Sequence, residues 1–129
     1  MYPSGSWAGF WEQAGWGRQP MTAFELHFAD GRVTGRGTDV VGPFAITGEY
    51  ETATGKVAWV KQYVGKHRVL YAGMPDGEGS ILGTWTIDHY GVKNTGPFLL
   101  KPHLPPTGGD DPIREIPKGE RRPSRSPLE

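Results

Sequence analysis

The chain has 129 residues, no cysteine, and 14 basic against 14 acidic side chains, nine of each sign in residues 1–101 and five of each after them. That length predicts one domain with one core. The missing cysteine excludes a disulfide framework, a thiolate metal site and a cysteine nucleophile, and the even charge leaves neither part of the chain as an electrostatic footprint for nucleic acid or a membrane surface, so neither partner is expected.

Residues 6–101 carry turn signals every ten to thirteen residues, with apolar residues alternating between them, the pattern of short meandering strands. The first predicted segment, 6–13, puts Trp7, Gly9, Trp11 and Gln13 on one face. After a turn from Gly15 to Pro20, the second, 21–29, aligns Thr22, Phe24, Leu26 and Phe28. Asp30-Gly31 is the strongest short hairpin signal in the chain, because both residue types accept the positive φ of a tight primed turn. The third segment, 32–40, sends Val33, Gly35, Gly37 and Asp39 inward and leaves Arg32, Thr34, Arg36 and Thr38 to solvent. Gly42-Pro43 turns the chain again.

The fourth segment, 44–52, sets Phe44, Ile46, Gly48 and Tyr50 against Ala45, Thr47, Glu49 and Glu51. The fifth, 56–64, gathers Val57, Trp59, Lys61 and Tyr63, and Gly65-Lys66 closes it. His67, Val69, Tyr71 and Gly73 share a face in the sixth, 67–73, and MPDGEG then supplies a turn that no strand crosses. The seventh, 80–88, carries Ile81, Gly83, Trp85 and Ile87, and the last, from about Thr95 to Lys101, contributes Phe98 and Leu100. No segment keeps a helical period over ten residues.

These segments predict an all-β fold, an eight-stranded antiparallel up-and-down β-barrel spanning 1–101. Closure is favoured over a two-sheet sandwich because glycines recur near strand centres at 9, 35, 48, 73 and 83, where a small, strongly bent barrel needs room. Residues 102–129 hold seven of the twelve prolines and no aromatic residue, so this tail is predicted to be disordered. Leu104-Pro105-Pro106-Thr107-Gly108 fits a sortase signal in letters, but polar residues follow where an apolar segment is required. Ser124 and Ser126 stand among arginines as candidate phosphate acceptors, with a solvated linker as the simpler reading. The N-terminal residues have neither the basic start nor the apolar run of a signal peptide, and a soluble, cytoplasmic protein is expected.

Several short stretches together resemble the avidin and streptavidin barrels of the calycin group. They are Ser6-Trp7 with Glu12-Gln13, Thr34-Gly35, Thr47-Gly48-Glu49-Tyr50, Val57-Ala58-Trp59 with Tyr63, and Gly83-Thr84-Trp85. The resemblance implies the barrel architecture, with Trp59 and Trp85 at the positions of that family's ring-stacking tryptophans. It does not imply biotin as the ligand. Gly37 and Asp39 stand where biotin binders have a Tyr-x-Ser arrangement, His67 and Val69 where they have a Ser/Thr-rich strand, and no aspartate lies near Gly96 to Phe98.

The alternation places an unusually polar set on the inner face: Gln13, Asp39, Tyr50, Lys61, Tyr63, His67 and Tyr71, beside Trp11, Trp59 and Trp85. A buried unpaired ion costs several kcal/mol, so Asp39 and Lys61 must pair or meet water at a barrel mouth. These ten residues are the candidate ligand-binding set, and the expected function is non-catalytic binding of a small apolar or aromatic molecule at an open barrel end. Two alternatives stand beside it: an interaction or structural module with a filled barrel, and a small barrel enzyme of the cyclisation or isomerisation type using Asp39, Lys61 and His67. No cofactor is implied; Gly35-x-Gly37 lacks the rest of a phosphate cradle, and His27, His67, His89 and His103 lie apart without metal-ligand spacing. Ala58, Val60 and Val64, extended by Leu70, Ala72, Leu82 and Leu99, form an outward apolar strip that predicts self-association through strands five to eight.

Overall fold

The computed structural model describes residues 2–89 and 91–103. Its eight strands are β1 (Gly5–Gln13), β2 (Gly17–Ala29), β3 (Arg32–Thr38), β4 (Pro43–Tyr50), β5 (Val57–Tyr63), β6 (Arg68–Pro75), β7 (Ile81–His89) and β8 (Val92–Pro102). Each pairs antiparallel with the next, and β8 returns to β1, with Trp7 opposite Pro102 and Trp11 opposite Phe98. The all-β, up-and-down closed barrel expected from the alternation is therefore the fold of the protein. Of the predicted tail, 102–129, the first two residues are ordered: Pro102 ends β8 opposite Trp7, and the His103 N–H donates to the Ser6 carbonyl at 2.8 Å. The rest of the tail reading, 104–129 with its sortase-like and serine motifs, lies outside the described residues.

Local sequence accounts for most of this. Asp30 and Gly31 both adopt positive φ, 53° and 79°, so the two-residue turn joins β2 to β3 with the twist a hairpin needs. Arg32, Thr34 and Arg36 are exposed while Val33 between them is fully buried. In β5, Val57, Trp59, Lys61 and Tyr63 all point inward and are buried. The strand-centre glycines admit the neighbouring backbone: a Cβ at Gly9, Gly35, Gly48 or Gly83 would run into the carbonyl of Leu99, Glu25, Ala58 or Ala72 respectively.

Several boundaries differ from the expectation. β6 runs on through Met74 and Pro75, which oppose Leu82 and Ile81, so the β6–β7 turn is shorter than MPDGEG suggested. β2 begins at Gly17, not after Pro20. Pro20 pairs only with Phe10 of β1, because β3 first meets β2 at Glu25, so the missing proline N–H breaks no ladder on the other side. The register between β1 and β2 shifts between Trp7 and Gly9, so Met21 opposes Gly9 and Gln19 opposes Trp11. A period-two pattern carries no sign of such a bulge, which replaces Thr22 by Met21 as the residue in phase with the inner face. Asp39 follows the end of β3 and sits in the β3–β4 turn, and His67 precedes β6 in an exposed turn. β8 starts earlier than expected, at Val92, because Gly91 with φ 78° makes the β7–β8 connection tight.

Candidate ligand cavity

The two ends of the barrel are built differently. The end formed by the start of β1 and the β2–β3, β4–β5 and β6–β7 turns is plugged by Tyr2. Its ring packs 5.1 Å from Phe28 and 5.9 Å from Trp7, and its hydroxyl donates to the Gly55 carbonyl at 2.6 Å. Tyr50 belongs to this plug, 5.6 Å from Phe28. Below it Leu26, Ile46, Trp59, Ile81, Phe98 and Leu100 fill the middle of the barrel, all at most 3% exposed.

The opposite end is open and holds a cavity of about 330 Å³. Eight of the ten predicted site residues line it: Trp11, Gln13, Asp39, Lys61, Tyr63, His67, Tyr71 and Trp85. Tyr50 and Trp59 do not. Tyr50 is at the plugged end, and Trp59 is core, stacked on Tyr71 at 5.8 Å and packed 6.2 Å from Phe98, so that it supports the cavity floor from beneath. Shared parity identifies a face but not a depth along it, and depth separates these two from the rest. Phe24, Phe44, Val69 and Ile87 complete the apolar wall and were legible by the same parity. Gln19 and Met21, brought in by the bulge, and Val40 and Val41, contributed by a turn, had no periodic signal.

The polar groups converge from three elements. Asp39 Oδ2 accepts from the Tyr63 hydroxyl at 2.6 Å and from Lys61 Nζ at 3.5 Å, while Oδ1 accepts from the Val41 N–H at 2.9 Å. Paired backbone hydrogen bonds between Asp39 and Gly42, 3.0 and 3.1 Å, hold the turn that presents this carboxylate. Lys61 is 8% exposed, and its ammonium also lies 4.8, 5.0 and 5.6 Å from the ring centres of Phe44, Tyr63 and Tyr71. Burial pushes the Lys61 pKa down, and the charge of Asp39 partly restores it. Burial likewise raises the Tyr63 hydroxyl, helped by its hydrogen bond to Asp39, and the Tyr71 hydroxyl, helped by the same negative charge. Both phenols thus stay protonated and available as donors near neutral pH.

The two tryptophans form a fixed wall. Trp85 donates its indole N–H to the Glu12 carbonyl at 3.0 Å and meets Trp11 edge to face at 5.5 Å. Its polar atom is therefore spent in reaching across β8, at Gly96, to β1, leaving ring surface for the cavity. Gln13 is half-buried at the rim. His67 is exposed at the mouth, its ring 5.1 Å from that of Tyr63, and no hydrogen bond joins it to Asp39 among the described residues. The Asp–Lys pair is thus assembled, whereas the histidine of the acid–base alternative is not aligned with it. No group of three or more potential metal ligands gathers among the described residues.

Hydrogen-bonding capacity inside the cavity is unevenly used. Asp39 already accepts from three donors. Lys61 has one long contact to Asp39, with its remaining N–H groups directed among aromatic rings, and Tyr71, 6% exposed, makes no hydrogen bond among the described residues. The inner part of the site therefore keeps unused donor capacity on Lys61 and Tyr71.

An antiparallel eight-stranded barrel, plugged at one end and open at the other onto an aromatic cavity with a part-buried ion pair, is the class of protein that fold and site define. Comparison with family models, with curated proteins and with solved structures finds no match.

Proposed function

We propose that this chain is a soluble, cytoplasmic, non-catalytic binding protein for a small, flat, largely apolar molecule carrying an uncharged hydrogen-bond acceptor. The observation that carries the reading is the pair of buried Lys61 with half-buried Asp39, facing an aromatic cavity of about 330 Å³ with the Tyr71 hydroxyl unpartnered among the described residues. Trp11, Phe24, Phe44 and Trp85 supply wall for an aromatic or aliphatic body. Lys61 and Tyr71 supply donors, so a carbonyl oxygen suits them. A carboxylate would set a second negative charge beside Asp39 in a poorly solvated site, and an ammonium would meet Lys61. Kinship with the avidin-type calycins belongs to this reading, supported by closure in chain order and by the Thr47-Gly48-Glu49-Tyr50 and Gly83-Thr84-Trp85 motifs.

Calorimetric titration with three naphthalenes of one shape tests it. The ketone 2-acetylnaphthalene is expected to bind about tenfold more tightly than 2-ethylnaphthalene, the worth of one hydrogen bond to a charged or otherwise unpaired group, and more tightly than 2-naphthoate. Tyr71→Phe should reduce the ketone's advantage, and Trp85→Phe should weaken all three. Absence of heat with every probe would remove the cavity as a binding site, and a preference for the naphthoate would reverse the choice of head group.

A second reading, self-association through β5 to β8, has its own support. Leu70, Met74 and Leu82 on the outer wall are 44, 51 and 53% exposed. Met74 and Leu82 are register partners and Leu82 in turn opposes Leu99, an apolar row across β6, β7 and β8, while Leu70 opposes Val60 in a second, shorter row across β5 and β6. Sedimentation velocity should give a dimer's mass or more that Leu82→Asp returns to a monomer; a monomer without substitution refutes the association.

A further inference from the structure

The exposed large hydrophobic residues are not scattered. Apart from the three on the outer wall, all of them lie at the open end: Trp16, Val40, Val41, Val64 and Val92. They occupy three of the connections there, Trp16 between β1 and β2, Val40 and Val41 between β3 and β4, and Val64 between β5 and β6, and Val92 stands at the first position of β8, beside the fourth. Their exposure is high, 72% for Trp16, 104% for Val40, 68% for Val64 and 63% for Val92. The turns of the plugged end carry no exposed large hydrophobic residue among the described residues.

Charge divides along the same axis. Around the plugged end stand Asp30, Glu49, Glu51, Asp76 and Glu78 against Arg32, Lys56 and Lys101, an excess of two negative charges. Around the open end stand Arg18, Lys66, Arg68 and Lys93 against Glu12 and Asp88, and all six are on the outside of the barrel. Glu12 is paired with Arg18 at 3.2 Å and Asp88 opposes Lys93 in register, which leaves Lys66 and Arg68 as surplus positive charge. Moreover, a cation follows three of the apolar tips by one or two residues: Arg18 after Trp16, Lys66 after Val64, Lys93 after Val92. Lys66 also donates to the Val41 carbonyl at 2.7 Å, which brings its charge beside the fourth tip.

Separate tips around an opening, each backed by a cation, do not make the continuous face that a protein partner packs against. They suit a fluid interface into which each tip sinks on its own, with tryptophan at headgroup depth and ammonium and guanidinium groups among lipid phosphates. We propose that the open end docks reversibly on an anionic bilayer, with Trp16, Val40, Val64 and Val92 seated in the interface and the cavity mouth turned toward lipid. The docking stands on the rim alone. Combined with the binding function proposed above, it lets an apolar ligand pass between membrane and barrel without crossing water.

Vesicles of phosphatidylcholine with and without phosphatidylglycerol test this on the full chain, with no ligand added. Because Trp7, Trp59 and Trp85 are buried and Trp11 is half-buried in the cavity, a blue shift of tryptophan emission on vesicles reports Trp16. Cosedimentation with the phosphatidylglycerol vesicles is expected to be about thirtyfold stronger than with phosphatidylcholine alone, from the attraction of the two surplus cations to the anionic surface. The pair Lys66→Ala and Arg68→Ala should erase that preference. Val40→Asp with Val64→Asp should abolish binding while the near-UV circular dichroism of the barrel is kept, since both residues are exposed and outside the core; Leu82→Asp, on the outer wall, should bind as the unsubstituted chain does. The proposal is overturned if neither vesicle binds, if Leu82→Asp loses binding as the rim variants do, or if the rim variants change the protein's own mass in sedimentation, which would assign the rim to a second copy of the chain. Vesicle docking without any naphthalene binding would keep this inference and remove the cavity reading, and the reverse result would do the opposite.

Discussion

Trp59→Ala is expected to destabilise the barrel by about 4 kcal/mol, within the usual range for removing a fully buried large aromatic side chain. Trp59 is 3% exposed and lies opposite Gly48 across the β4–β5 pair, where the absent Cβ makes room for it; an added Cβ at Gly48 would come within 2.5 Å of Trp59 Cβ. Its indole stacks on Tyr71 and packs against Phe98, so truncation leaves a void that a closed ladder of eight strands cannot collapse to fill. Urea denaturation followed by far-UV circular dichroism measures the loss. Trp85→Phe, by contrast, alters the cavity wall and keeps much of the aromatic volume, so its effect should appear chiefly in ligand affinity. A Trp59→Ala protein as stable as the unsubstituted chain, but unable to bind the naphthalenes, would move Trp59 from the core to the site.

Gly9→Ala is the second large effect, at about 3 kcal/mol, the upper end of what overpacking usually costs. Gly9 is paired on both sides, with Met21 of β2 and Leu100 of β8, and therefore lies on the seam where the chain's first and last strands close the barrel. A Cβ there would run into the Leu99 carbonyl, a backbone atom that cannot rotate away, so β1 and β8 would have to part. Gly15→Asn is the control. Gly15, in the β1–β2 turn with φ 86°, has nothing within 4 Å of an added Cβ, and asparagine tolerates that backbone, so the cost there should be about 0.5 kcal/mol. Equal midpoints for Gly9→Ala and Gly15→Asn in chemical denaturation would remove the seam explanation.

The candidate site was only partly legible in advance, and the residues show why. Lys61, Tyr63 and Tyr71 follow from alternation, because side chains two residues apart share a face of a strand. Their meeting with Asp39 needed a turn to fold back over the barrel mouth, held by the Asp39–Gly42 hydrogen bonds and by Lys66 on the Val41 carbonyl. Tyr50 and Trp59 satisfied the same parity and yet lie outside the cavity, since parity cannot say how far along the barrel a side chain sits. Tyr2 gave no signal at all. It lies in no alternating segment, and its role depends on Gly55, 53 residues away in the chain.

The sequence by itself determined the strand count, the order of pairing, the tight hairpin at Asp30-Gly31 and the inward or outward sense of most side chains. Each of these is set within about ten residues, by turn chemistry and a period of two. Only the tertiary structure decided which end is plugged, where the interior is left unfilled, and that a chain with equal charges along its length has an acidic end and a basic, apolar-tipped end. The reason is the topology: an up-and-down barrel sends alternate turns to opposite ends, so residues evenly mixed in sequence are sorted in space once the strands close.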